Sequence, residues 1–297
     1  MGPDAATTTR VPGYGGRPTT KAPNWHGLVT LDLLFNNLST GLFLAAALGE
    51  LVMPARVTPL AVAAYPIAWL FLIGDLVCLV LDLGDPSRFH HMLRVWKPSS
   101  PMSLGTWVLT AYAVPLTVLA LMGLLAGADA LRTLRLVLIV IGMVLAIGAA
   151  VYKGVLFSTT AQRGWGDARW LGGYLINSAL VLGSAEMLLL GLVMGAPEAA
   201  TAYRFALRAL LVLNAIALAL LVSDLRATLA SVRGPLVLAA LGALALLGGI
   251  LVPLWLLGAG APVPVGIALA LVLMGAVVVR REMVRLPHSL GKARPGG

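Results

Sequence analysis

The sequence is poor in charge, in cysteine and in aromatic residues, and each shortage excludes something. Of its 297 residues only 11% are charged and 6% aromatic, whereas a soluble domain carries about 25% charged residues. Hydrophobic residues make up 59% and the mean hydropathy is +0.93. In water such a chain would expose large apolar patches, which soluble proteins avoid; its solvent is lipid. The single cysteine, Cys78, lies in an apolar run. It leaves no internal disulfide and no iron–sulfur cluster in this chain, since a cluster needs about four thiolates. The histidines His26, His90, His91 and His288 all fall in tails or loops. A haem inside a helical bundle takes an axial ligand from the membrane core, so no haem is expected. His90 and His91 are adjacent rather than spaced as a metal motif, and no metal site is expected either.

What is present in abundance is apolar sequence. A spanning helix needs about 20 mostly apolar residues, and such runs fall at 28–53, 60–83, 104–126, 134–157, 171–194, 203–224, 235–257 and 263–281. Turn-forming punctuation separates them: Met53-Pro54-Ala55-Arg56, Pro98 with Pro101, Gly127-Ala128-Asp129, Gly164-Trp165-Gly166-Asp167, Ala196-Pro197-Glu198 and Arg233-Gly234-Pro235. Only helices and closed barrels satisfy their backbone in hydrocarbon, and strand alternation is absent. The expected fold is all-α, an integral membrane bundle of eight transmembrane helices over residues 25–285. Residues 1–24, rich in Gly, Pro and Thr and without a basic–apolar–small cleavage pattern, read as a flexible extramembrane tail. Residues 286–297 read as a basic C-terminal tail.

The net charge of +9 raises nucleic acid as a partner, but the basic residues sit in short loops and tails with no interleaved aromatics. Lipid-facing, topology-setting charge is the reading they support. With eight spans both termini share one side, here the tail side. It holds Arg10, Arg17, Lys21, Arg88, Arg94, Lys97, Lys153, Arg163, Arg169, Arg226, Arg233, Arg280, Arg281, Arg285, Lys292 and Arg294, 16 of the 21 Lys and Arg. The other 5 are Arg56, Arg132, Arg135, Arg204 and Arg208. The positive-inside rule places both termini in the cytoplasm of a multi-pass protein of the cell (inner) membrane.

Charges inside a bilayer are costly, so intramembrane carboxylates are candidate functional groups. Asp32 is about one turn into the first span, at 1.5 Å of rise per residue. It opens the polar run Asp32, Asn36, Asn37, Ser39, Thr40, and Asp32 and Asn36 share a helix face. Asp75 lies in the tail-side half of the second span, Glu186 past the middle of the fifth and Glu50 near the far mouth of the first. If Asp75, Glu186 and Glu50 line one path, protons could pass between the two sides. Asp82 and Asp224, at tail-side helix ends, suit interfacial or capping roles. Gly41, Ala45, Ala46 and Gly49 suggest close packing of the first helix. Tyr152-Lys153 ends the fourth span; the Tyr hydroxyl is a neutral donor suited to a ligand carbonyl, and Lys153 has the stem to snorkel.

Three segments carry a resemblance. The second loop reads Leu81-Asp82-Leu83-Gly84-Asp85-Pro86-Ser87-Arg88-Phe89 and then Pro98-Ser99-Ser100-Pro101-Met102-Ser103-Leu104-Gly105-Thr106-Trp107. Tyr152-Lys153-Gly154-Val155-Leu156 closes the fourth span, and Trp25 precedes Leu38-Ser39-Thr40-Gly41 in the first. Together, over about residues 25–190, these resemble the polysulfide reductase membrane-subunit (NrfD/PsrC) family. The resemblance implies a quinone-binding membrane anchor of a multi-subunit respiratory oxidoreductase. Such a subunit is not catalytic by itself and exchanges electrons with an iron–sulfur partner subunit, which serves a molybdopterin catalytic subunit. The cofactor implied is a quinone or quinol, menaquinone or ubiquinone. Carried over, the quinone contacts are Asp32 and Tyr152, with Asn36 and Lys153 beside them; some relatives have His at the first position, and Asn36 and Asn37 stand where glycines are common. Arg88, His90, His91 and Arg94 are the expected docking residues. Two other classes stay open: a secondary transporter, against which no helix shows a mid-membrane Gly/Pro break repeated in the other half, and a passive anchor in which Asp32 and Tyr152 only pair structurally.

Overall fold

The computed structural model describes residues 25–125 and 131–292. The tail 1–24, the Gly127-Ala128-Asp129 turn and Arg294 lie outside the described residues. Eight helices long and apolar enough to cross a membrane follow one another: α1 Gly27–Val52, α2 Pro54–Leu81, α3 Pro101–Leu125, α4 Arg132–Ser158, α5 Leu171–Val193, α6 Pro197–Val232, α7 Pro235–Ala259 and α8 Pro262–Lys292. Five of them begin on a proline, which fits the first helical position because the missing N–H has no partner there anyway. A 3-10 helix, Pro86–Leu93, fills the α2–α3 loop. Its start is fixed by Asp85, whose carboxylate accepts from Ser87 N at 3.2 Å and Ser87 Oγ at 2.5 Å.

The spans match the apolar runs, with three overshoots. Helix α2 starts at Pro54, ahead of its run, α6 starts at Pro197 and ends at Val232, and α8 continues to Lys292. The apolar runs stop where charge begins, but helical hydrogen bonding continues beyond the hydrocarbon, where charged side chains face water. Asp224, at the tail-side end of the α6 run, takes a capping role: its carboxylate accepts from Trp170 N at 2.9 Å, at the start of α5.

Helix α1 is the centre of the bundle. Its most apolar window is 78% buried against 11% for α7, and it packs on α2, α4, α5 and α8. Small residues allow this. A Cβ added at Gly41 would run into the Ala179 carbonyl of α5, and one at Gly183 into the Gly41 carbonyl, so the two backbones touch. Gly154 of α4 meets Gly172 of α5 in the same way.

Helix α7 lies at the edge and is interrupted by a π-helical segment, Ala243–Leu251. Proline at 253 has no N–H and crowds the carbonyl four residues back, that of Gly249, and widening the turn relieves both. The neighbouring Gly249 lies against Gly275 of α8. Among the described residues no other span carries such a segment, so the break has no counterpart in the other half of the bundle.

On the side opposite the tails, Glu50 of α1 is clamped by Arg135 of α4 through two bonds, 2.9 and 3.0 Å, and accepts from the Tyr65 hydroxyl of α2 at 2.7 Å. Glu50 and Arg135 are both buried. Removing one partner of a buried pair strands the other charge. Arg135→Met is therefore expected to cost about 3–5 kcal/mol, read as the unfolding midpoint in detergent, while the double variant Glu50→Leu/Arg135→Met loses much less. Equal losses in the single and double variants would show that the pair contributes little.

Candidate functional site

Asp32, Asp75 and Lys153 come from three helices and meet at one depth. Asp32 lies five residues from the start of α1, Asp75 six from the end of α2 and Lys153 five from the end of α4, each roughly 8 Å inside its tail-side helix end at 1.5 Å per residue. Lys153 Nζ sits 2.7 Å from Asp32 Oδ1 and 2.5 Å from Asp75 Oδ1, and also donates to the Asp32 carbonyl at 3.0 Å. The contact to Asp32 Oδ1 is an ion pair without the alignment of a hydrogen bond. Asp75 Oδ2 takes a bond from Asn36 Nδ2 at 3.1 Å. All four side chains are buried, Asp75 completely. Lys153 thus turns inward along its stem rather than snorkelling out, because two carboxylates repay its desolvation only inside the bundle.

This cluster forms one wall of a cavity of about 330 Å³ between α1, α2, α3, α4 and the 3-10 helix. Asp32, Lys153 and Tyr152 reach it, as do Thr106 and Thr110; Leu79, Met92, Leu109 and Phe157 supply apolar surface. Tyr152 is half-buried, and its hydroxyl has no hydrogen-bond partner among the described residues. Its ring lies on Gly105 of α3, where any Cβ would collide with it, and 5.7 Å from Lys153 Nζ, within cation–π reach. That contact gives the Gly105 of the loop motif a steric reason. Trp25, ahead of α1, also lines the cavity and packs on Phe157 and Trp165 at 5.3 and 5.0 Å between ring centroids.

The 3-10 helix covers the mouth. Phe89, Met92 and Leu93 line the cavity, while Arg88, His90, His91 and Arg94 of the same loop are exposed. Arg88 pairs within the loop, 3.1 Å from Asp85, and Arg94 lies 3.3 Å from the His91 ring nitrogen Nδ1. Exposed Val95 and Trp96 continue this outward surface.

The remaining sequence candidates lie apart. Asn36 backs Asp75 and does not line the cavity. Glu50 is at the far end of α1, held by Arg135 and Tyr65. Both carboxylate oxygens of Glu186 are buried without a partner among the described residues. Between Asp75 and Glu50 the described residues offer a Ser39–Tyr112 hydroxyl contact of 3.2 Å but no continuous chain of protein hydrogen bonds.

Two features escape a reading from sequence. Asp75 is the second partner of Lys153, a pairing that equal depth on α1, α2 and α4 could have suggested. Arg280 of α8, counted there among the charges of the C-terminal tail, is buried and bonds Asn37 Oδ1, Ser178 Oγ at 3.1 Å, and the Leu33 and Ala276 carbonyls at 3.3 and 2.9 Å. No carboxylate pairs with it among the described residues. Polar side chains and carbonyls are what fix α8 to α1 and α5.

The family model described as polysulphide reductase, NrfD, matches residues 18–287. No curated protein matches the chain. The match takes in all eight spans, the loop motif that closes the cavity and the cluster behind it, and the chain belongs to the NrfD family of membrane subunits of polysulfide reductase-type oxidoreductase complexes.

Proposed function

We propose that the chain is the quinone- or quinol-reactive subunit of its complex, with the tail-side cavity as its quinone site. The observation that carries this is the meeting of an apolar cavity of about 330 Å³ with an unpartnered Tyr152 hydroxyl and the Asp32–Lys153 edge of a buried ion cluster. Ligand sites combine apolar walls with a few placed polar groups, and a quinone head needs that combination: a flat apolar ring and two oxygens to be hydrogen-bonded. A bound quinol supplies two electrons and two protons when it is oxidised. Tyr152 donates a hydrogen bond to one oxygen and holds the ring. Asp32 takes the two protons one after the other at its carboxylate, the first passing on to the tail-side aqueous phase before the second arrives, while the two electrons leave for the iron–sulfur partner; quinone reduction runs the same steps in reverse.

Lys153 and Asp75 make that exchange tolerable in hydrocarbon. The cluster has two carboxylates for one ammonium, so one added proton brings it to neutrality, and net charge at this depth is what the membrane penalises. Lys153 steadies both carboxylates through either state. Asp75, fixed by Asn36, is a positioning residue. A passive anchor would contain the same ion cluster, but a passive cluster does not require an open cavity beside it.

The partner in this reading is an iron–sulfur subunit, itself serving a molybdopterin catalytic subunit. It docks on the 3-10 helix, whose inner residues touch the cavity and whose outer face carries Arg88, His90, His91 and Arg94. The arrangement shortens the path for electrons between the cavity and the partner. Glu186 is the one candidate in the far half of the bundle that is free to take up a proton, since Glu50 is engaged by Arg135.

Orientation in the inner membrane follows from charge. Lys153 and Arg280 are buried on the tail side and Arg135 on the other. Setting them aside changes 16 against 5 to 14 against 4, so the bias survives. Both termini and the docking loop are cytoplasmic in this account. A C-terminal fluorescent reporter that folds only in the cytoplasm is expected to be bright, and a C-terminal alkaline phosphatase inactive; the reverse pair of results puts the cavity on the outer face.

Asp32→Asn keeps the shape of the side chain and removes its capacity to take up a proton. Quinol-linked turnover is expected to fall roughly 100-fold, the size of a general acid–base contribution, with subunit assembly and dye-linked activity of the catalytic partner unchanged. Wild-type quinol turnover in the assembled variant would remove Asp32 from the reaction.

A further inference from the structure

A second cleft lies on the tail side, on the far side of Trp25 from the quinone cavity. It runs between the start of α1 and the end of α8, beside the α6–α7 turn, and encloses about 990 Å³. Arg233, Arg281, Arg285, His26 and His288 line it. Of the carboxylates near it among the described residues, Glu282 is taken by Arg233 at 2.8 Å and Asp82 faces His26 rather than the arginines. Arg281 and Arg285 are exposed and have no ion-pair partner among the described residues. His288 Nε2 is tied to the Trp25 carbonyl at 2.8 Å, and the His26 and His288 rings lie 4.8 Å apart. No side chain caps the first turn of α1 at His26, so backbone N–H groups there add to the positive end of the cleft.

The apolar part of the lining decides what such a cleft takes. Leu31, exposed on the second turn of α1, lines it together with half-buried Val232, and exposed Leu28 adjoins them. These residues start the membrane-facing surface of α1; antiparallel α8 sets Arg285 and Arg281 beside them, since His288 meets the Trp25 carbonyl and Arg280 the Leu33 carbonyl, and the arginine stems are long enough to bring their heads to the headgroup level. A ligand that suits both parts has a phosphate anion at the level of the helix ends and hydrocarbon beneath it. Basic pockets between transmembrane helices bind anionic lipid headgroups on this physical ground. A free phosphate uses only the cationic half of the cleft, and an acidic protein surface cannot follow the apolar wall into the bilayer.

We propose that this cleft binds the phosphate headgroup of an anionic phospholipid, held by Arg281 and Arg285, with an acyl chain along Leu31. Trp25 lines both this cleft and the quinone cavity, so the lipid backs one wall of the site without touching its polar groups.

The test uses the purified full chain in mild detergent. Retention of phosphatidylglycerol and of phosphatidylcholine is measured by native mass spectrometry after equal additions of each. The wild type is expected to prefer phosphatidylglycerol. Arg281→Gln/Arg285→Gln is expected to lower its retention roughly tenfold or more, from about 1 kcal/mol per basic residue at the surface and 1.4 kcal/mol per tenfold. Arg208→Gln, an exposed arginine on the opposite side, is expected to keep the preference. If the double variant does not fold, Arg285→Gln alone carries the comparison, with a partial loss expected. Equal retention of both lipids by the wild type, or an undiminished preference in the variants, overturns the proposal. Inorganic phosphate that displaces phosphatidylglycerol at matched concentration also overturns it and marks a free-anion site. Loss of co-purifying subunits with lipid preference intact overturns it as well and assigns the arginines to an acidic partner.

Discussion

In hydrocarbon every polar group must find a partner inside the protein, and the most polar span of this chain is α1. Its side chains are matched one by one to groups on other helices. Asp32 meets Lys153 of α4, Asn36 meets Asp75 of α2, and Asn37 meets Arg280 of α8. Ser39 meets Tyr112 of α3, and Glu50 meets Arg135 of α4 and Tyr65 of α2. A helix that needs so many partners has to sit where the others surround it. Glycines at 41 and 183 then let α5 close the remaining side. The bundle is organised around the polar demand of one helix, with lipid-facing α7 at the other extreme.

The same demand makes the site. At the tail-side end of α1 the matching is incomplete, with two carboxylates sharing one lysine beside a cavity and a tyrosine hydroxyl left over. At the far end of α1 the carboxylate is saturated, because Glu50 has a bidentate arginine and a tyrosine. That asymmetry separates the α1 carboxylate that can take a proton from the one that is locked. It also assigns different roles to carboxylates that look equivalent in the sequence. The loop motif fits this division, since its glycine makes room for Tyr152, its 3-10 helix covers the cavity, and its charged residues face outward.

Depth was legible in the sequence and direction was not. Apolar runs located all eight spans to within a few residues wherever helix and hydrocarbon end together. They fell short on α2, α6 and α8, where the helix extends past the apolar run. Asp32 and Tyr152 stand out from their position and motif, and both line the cavity. Asn36 shares a face with Asp32 yet points to Asp75, because the approach of α2 decides which neighbour it meets. Arg280 and Arg135 look like topology-setting charges of the C-terminal tail and of a loop; their burial depends on how α8 and α4 rotate against α1, which spacing alone leaves undetermined. The π segment of α7 could be anticipated only from Pro253 and the glycine four residues before it.

Whether the tail-side cavity holds a quinone is read most directly from the quinone content of the purified chain. Solvent extraction and chromatography are expected to recover about one quinone per chain from the wild type. Thr106→Trp, which fills the cavity from α3 and leaves Asp32, Tyr152 and Lys153 unsubstituted, is expected to recover almost none while the protein remains folded. Quinone absent from the wild type, or undiminished in the folded variant, would contradict the account.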